Sequence, residues 1–220
     1  MTKPVMCMLE GISASGKSTL AKHIHFESLR VYVTDENVED DNIAIHSTDD
    51  LREELFGNVD EQGKNDELYH ELHARICKDL QAGKNTIYDA TNLNKKRRIA
   101  FLQSLEGIEC HKVCVMIFAA VQQCIEFNRN RKHMVPDEVI CKQYRNWQPA
   151  HYSEGFDAVY MAVAQLSSDG RKQKFQLKAL FEHADDIQCR NDDQSDNSSG
   201  EYIDKNKSCY IITDVKEYPF

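Results

Sequence analysis

The chain has no apolar run approaching the ~20 residues that a membrane-spanning helix needs. Its first residues, MTKPVMCMLE, lack the order of a secretory signal peptide, because a short apolar run leads straight into a glycine loop. A cytoplasmic location without membrane attachment is the expectation. There is no CxxC pair among the eight cysteines, Cys7, Cys77, Cys110, Cys114, Cys124, Cys141, Cys189 and Cys209. Most lie inside apolar runs, which speaks against a disulfide framework and for reduced, partly buried thiols. The nearest approach to a metal cluster, Cys110-His111…Cys114, falls in a strand-like run and does not read as a zinc site. No repeat with a 20–50-residue period is visible. Nor is there an excess of positive charge. The net charge is −9, from 27 basic and 36 acidic side chains, which argues against a protein that coats nucleic acid non-specifically.

What positive charge exists is concentrated. Residues 84–148 hold 11 Lys/Arg against 6 Asp/Glu, a net of +5, while the remainder carries −14. The basic groups are KKRR at 95–98, RNRKH at 129–133, and Lys142 with Arg145. Such a segment can face an anionic substrate, or it can be a set of solvated helix faces.

Apolar patterning predicts alternating strands and helices. Val5–Leu9, Ile43–His46, Thr86–Tyr88, Val113–Phe118 and Phe156–Val163 read as strands. Helices are expected over Ser18–Leu29, Asp49–Phe56, Lys95–Leu105, Val121–Asn128 and from Pro136 to about Trp147. Leu68, Leu72, Ile76 and Leu80 form the single stripe of another helix, closed by Gly83. This alternation predicts an α/β fold with a parallel sheet of about five strands flanked by helices. Residues 31–41 begin β-like and turn acidic, suggesting a surface insertion. The domain is expected over 1–165, with 166–220 as a C-terminal extension. There Lys174–His183 is a helix candidate, 190–201 a polar acidic linker and Ser208–Val215 a strand candidate.

The segment EGISASGKST contains the pattern G-x-x-x-x-G-K-[ST], at Gly11, Gly16, Lys17 and Ser18. Glycines let the backbone curl so that several N–H groups converge on phosphate oxygens. The lysine then bridges the outer phosphates of a nucleoside triphosphate, and the serine hydroxyl suits Mg²⁺. The expected ATP site is Gly11, Ser13, Ala14, Ser15, Gly16, Lys17, Ser18 and Thr19.

A phosphate loop alone does not separate a kinase from a switch or a motor. HSTDDLREEL admits two readings. In one, Ser47, Thr48 or Asp49 is a helix cap and Arg52 an exposed turn residue. In the other, Asp49 stands at a strand's carboxyl end and takes the proton of an attacking hydroxyl, and Arg52, one turn on, holds an acceptor phosphate. Asp89 ends an apolar-apolar-Asp run of a kind that orders Mg²⁺ or its water shell. Arg129 and Arg131 precede a Pro-initiated helix, where an arginine can reach a transferring phosphoryl group or form a basic surface loop.

Taken in order, GISASGKST, STDDLR, YDATNLNKKRR, N-x-x-R before VPDEVI, and PAHYSEGFD resemble the family of phage-type polynucleotide 5′-kinases and their P-loop ATPase relatives over about residues 4–160. The resemblance implies a P-loop NTPase fold with a short lid. It implies that Lys17 and Ser18 serve ATP and Mg²⁺. It makes Asp49 the general base for a 5′-hydroxyl, Arg52 the acceptor arginine, and Asp89 with Asn92 part of a D-x-T-N acceptor motif. It makes Arg131 the lid arginine on the donor phosphates. Phe127 departs from the family, which often carries Arg before that asparagine. No DxDxT phosphatase motif is present, and the acidic tail resembles the start of an HD-type phosphohydrolase domain only without its metal-binding histidines. The expected activity is transfer of the ATP γ-phosphoryl group to a hydroxyl, foremost a nucleic-acid 5′-OH end. A small acceptor (nucleoside, nucleotide or sugar) and an ATP-binding regulatory module without transfer are the alternatives.

Overall fold

The run VMCMLE forms strand β1 (Val5–Glu10), buried along its whole length. Alternate side chains of a strand face opposite ways, and here both faces are covered. Val5, Cys7 and Leu9 join one core with Leu20, Ile24, Val31, Val113, Val115 and Ile117. Met6 and Met8 join a second core, with Leu51, Leu68, Leu72, Ile76, Phe101 and Met116. A continuous apolar run buried on both faces is the sign of a central parallel strand.

The computed structural model describes residues 3–27, 30–33, 42–59, 61, 63–166, 172–181 and 216–219. After β1 come α1 (Lys17–Ala21), β2 (Ile24–Glu27), β3 (Arg30–Val33), β4 (Ile43–Ser47), α2 (Thr48–Phe56), α3 (Asn65–Gln81), β5 (Asn85–Asp89) and α4 (Lys95–Ser104). They are followed by β6 (His111–Phe118), α5 (Val121–Asn128), α6 (Asp137–Arg145), a 3₁₀ turn at Tyr152–Glu154, β7 (Ala158–Leu166), β8 (Lys172–Phe181) and β9 (Lys216–Pro219). The main sheet runs β4-β5-β1-β6-β7-β8-β9. Its first five strands are parallel, in the expected P-loop arrangement. Among the described residues no helix is long and apolar enough to cross a membrane.

One expected helix is cut short and another is replaced by a strand. The helix expected over Ser18–Leu29 ends at Ala21, and the chain turns into the antiparallel hairpin β2–β3, with Ile24 opposite Val33 and Phe26 opposite Val31. Ile24 and Val31 bury into the β1 core, which outweighs helix continuation. The Lys174–His183 helix is instead the strand β8, antiparallel to β7. Its apolar residues Phe175, Leu177, Ala179 and Phe181 recur every second position, the period of a strand. The linker over 190–201, the strand candidate Ser208–Val215 and positions 34–41 of the acidic insertion lie outside the described residues.

α3 buries Leu68, Leu72, Ile76 and Leu80, the stripe expected from the sequence. Cys7, Cys77, Cys110, Cys114, Cys124 and Cys141 are free thiols, and no group of three metal-ligating side chains forms among the described residues.

Candidate active site

The site lies at the carboxyl ends of β1, β4 and β5. β1 delivers the glycine loop. Ala14 and Gly16 adopt left-handed φ values of 60° and 99°, the two reversals that curl the loop before α1 begins at Lys17. Gly11 has no room for a side chain: a Cβ there would stand 2.8 Å from Ser15 Oγ and 3.0 Å from the Ile117 carbonyl oxygen. The Gly11 amide donates to the Thr91 carbonyl at 3.1 Å, joining the loop to the DATN segment. The Ser13 amide donates to Gln143 Oε1 at 2.7 Å, so α6 braces the loop from the other side.

Lys17 is buried and its ammonium donates to the Ile12 carbonyl at 2.7 Å. Burial lowers its pKa, against the opposing pull of Asp89. Asp89, at the end of β5, is buried too. Burial raises its pKa, while Lys17 and a hydrogen bond from the Ser18 side chain pull it down. A hydroxyl and a carboxylate, both hard oxygen donors, thus meet beside the loop lysine. They fit an octahedral, oxygen-preferring ion such as Mg²⁺ that keeps most of its waters and binds phosphate oxygens.

Ser47 caps α2, accepting the Asp50 amide at 3.3 Å. Asp49 is therefore not the cap, and its carboxylate, about half exposed, faces the site. Arg131 Nη2, from the turn after α5, lies 3.2 Å from Asp49 Oδ2. Arg52 Nη1 lies 3.7 Å from Asp49 Oδ1. Arg52 is not the exposed turn residue of the alternative reading: only 6% of it is accessible. Its Nη2 donates to Asn65 Oδ1 at 2.9 Å, at the start of α3. Asp49, Arg131 and Asp89 all act electrostatically on Lys17, which places these four groups in one site.

Asn92 also sits in left-handed backbone, at φ 48°, and its Nδ2 donates to the Leu9 carbonyl at 2.8 Å. It clamps β1 to the loop after β5.

Sequence reasoning missed the support behind the loop. Glu10, the residue before Gly11, is fully buried. It accepts from the Trp147 indole N–H and from the Ala150 amide at 3.0 Å, and lies 3.3 Å from Arg98 Nη1. Arg98 is 1% exposed and makes a two-pronged pair with Glu154, both bonds 2.8 Å, while its Nη1 donates to the Asn92 carbonyl at 2.8 Å. Burial raises the Glu10 carboxyl to about 7, against the pull of Arg98, Trp147 and Ala150. Part of the KKRR cluster is thus structural: Arg98 holds two buried acids and does not face solvent. An acid closing an otherwise apolar strand was the available signal. Asn128 was missed as well. Its side chain donates to the Val135 carbonyl at 2.6 Å and accepts the Val135 amide at 3.0 Å, closing the turn that carries Arg131.

A gluconokinase from Sinorhizobium meliloti 1021 superposes with a TM-score of 0.46 at 16% identity, over 74% of this chain and 84% of that one. A structure of the Pnkp1/Rnl/Hen1 RNA repair complex superposes with a TM-score of 0.49 at 19% identity, over 66% of this chain and 44% of that one. This chain thus spans less than half of the latter's length. No curated protein matches the sequence. Residues 6–150, well over half of the chain, match the AAA domain family AAA_33, and the chain belongs to that family of P-loop kinases.

Proposed function

We propose that the protein transfers the γ-phosphoryl group of ATP to the 5′-hydroxyl end of a nucleic acid. One observation carries the reading: the Asp49 carboxylate lies between Arg52 and Arg131 in the same site as Lys17 and Asp89. A binding module has no use for an acid held between two cations beside its phosphate loop.

In this account the loop amides, Lys17 and Ser18 take the triphosphate. Bound Mg²⁺, held through Ser18 and Asp89, would offset charge on the phosphate oxygens. Asp49 accepts the proton of the acceptor hydroxyl. The hydroxyl oxygen forms the new P–O bond as the bond to the β-phosphate oxygen breaks, and ADP leaves. Arg131 exchanges its bond to Asp49 for the transferring phosphoryl, whose charge it offsets. Arg52 orients the acceptor. Positioning and charge neutralisation supply most of the rate, because the protein forms no covalent bond.

The exposed part of the +5 segment, with Lys95, Lys96, Arg97, Lys132, Lys142 and Arg145, supports a polyanionic acceptor. The overall −9 supports the second reading, a small hydroxyl acceptor. The kinase domain is proposed to span 1–165, with 166–220 as an extension whose β8 and β9 add to the edge of the same sheet. The six free thiols and the use of ATP suit the cytoplasm. Incubation with Mg²⁺ and γ-labelled ATP tests the reading, with 5′-hydroxyl DNA and RNA oligonucleotides offered beside nucleosides, nucleotides and sugars. Label on oligonucleotide ends is expected. Label confined to a small molecule replaces the acceptor, and label on nothing despite ATP binding favours a module without transfer.

A further inference from the structure

The acceptor side of the site continues past Arg52 along α3. Arg52 anchors to Asn65, the first residue of that helix. The Nε of Arg52 is buried and has no hydrogen-bond partner among the described residues. A buried guanidinium N–H without a partner is costly unless a ligand completes it. Tyr69 lies one turn beyond Asn65, on the same side of α3, at about 6 Å along the helix. Over its ring, 5.7 Å from the centroid, lies the guanidinium of Arg97.

Arg97 is exposed, and among the described residues no carboxylate pairs with it. Other arginines of the chain are used differently: Arg75 is held by Glu54 and Glu71, and Arg98 by Glu10 and Glu154. Its backbone position is also unusual. The first turn of α4 carries Lys95, Lys96 and Arg97 and no acid, with Asn94 capping the Arg97 amide at 3.0 Å. Positive charge at a helix N-terminus opposes the helix dipole, so stability of α4 does not explain the cluster. The cluster immediately follows the DATN loop at the carboxyl end of β5, so it borders the site.

We propose that Arg97, lying over the Tyr69 ring, is a second acceptor-phosphate site, which binds the phosphate following the one at Arg52. This rests on the nucleic-acid reading above. Successive turns of α3 thus hold the two arginines, Arg52 through Asn65 and Arg97 through Tyr69. The site selects acceptors at least two nucleotides long, and it reads backbone charge, not base identity.

The test compares kcat/KM for three 5′-hydroxyl acceptors: a nucleoside 3′-monophosphate, a dinucleotide with a 3′-phosphate, and a decanucleotide. Arg97→Ala is expected to lower the value roughly tenfold for the two longer acceptors, the worth of one charge-assisted hydrogen bond, and to leave the mononucleotide unchanged. Arg97→Lys should recover most of the loss. Tyr69→Phe, which keeps the ring, should behave as the unaltered protein, and Tyr69→Ala should lose the same preference as Arg97→Ala. The salt slope for the decanucleotide should fall by about one in Arg97→Ala. Arg97→Gln, which keeps the chain length, serves if the alanine variant fails to fold. A loss equal on all three acceptors, or no loss on any, overturns the subsite while leaving the kinase reading standing. An unaltered protein that labels none of the three overturns the nucleic-acid reading, and the subsite with it.

Discussion

Replacing Arg98 with Met removes the one cation shared by Glu10 and Glu154 inside the domain. The side chain is 1% exposed and both acids are fully covered, so water does not reach the gap. Breaking a buried pair by deleting one partner costs about 3–5 kcal/mol, because the charge left behind stays desolvated. The Asn92 carbonyl loses its donor as well. For a protein of this size each kcal/mol moves Tm by about 2–4 °C, so thermal unfolding at pH 7.5 should fall by about 6–20 °C. The deficit must also depend on pH. Burial already raises the folded-state pKa of Glu10 above its unfolded value, and losing Arg98 raises it further. A raised carboxyl contributes stability that is present at low pH and lost as pH rises through the folded value. The variant should therefore regain part of the loss at pH 5, where the stranded Glu10 carries its proton. Circular dichroism melts at the two pH values read both effects. A drop below about 2 °C, or one that is the same at pH 5 and 7.5, would refute the reasoning.

Other outcomes follow from neighbouring features. Trp147 is the single tryptophan and donates to Glu10, so its fluorescence should titrate with a midpoint near 7, and Glu10→Gln should abolish that step. The same carboxyl should make the protein lose stability as pH rises from about 4.5 toward 7, which urea melts across that range would register. Gly11→Ala places a Cβ 3.0 Å from a backbone carbonyl that cannot swing aside; a loss of about 1–3 kcal/mol and weaker ATP binding by calorimetry are expected.

The parallel sheet, the α3 stripe and the glycine loop were legible in the sequence because each rests on local periodicity or on one short motif. The β2–β3 hairpin was not, since residues 18–29 hold no helix breaker and only burial of Ile24 and Val31 in the central core decides the matter. β8 was misread although Phe175, Leu177, Ala179 and Phe181 alternate; its strand form also depends on pairing with β7. At the site, one hydrogen bond, from the Asp50 amide to Ser47 Oγ, makes Ser47 the cap of α2, a choice among Ser47, Thr48 and Asp49 that local sequence leaves open. The network of Glu10, Arg98, Trp147 and Glu154 joins positions far apart in the chain, and no local pattern announces it. Arg98 was hidden inside a basic run whose other members are exposed.

The central claim is that Asp49 takes the proton of an attacking 5′-hydroxyl. A single-turnover assay with ATP prebound tests it most directly. It would compare a 5′-hydroxyl oligonucleotide with its 5′-phosphorylated twin, for the unaltered protein and for Asp49→Asn. The account predicts transfer only to the 5′-hydroxyl end, and a rate at least a hundredfold lower in the variant, the lower range for removing a general base, with ATP still bound. Transfer at an unchanged rate in Asp49→Asn, or equal labelling of the two oligonucleotides, would contradict it.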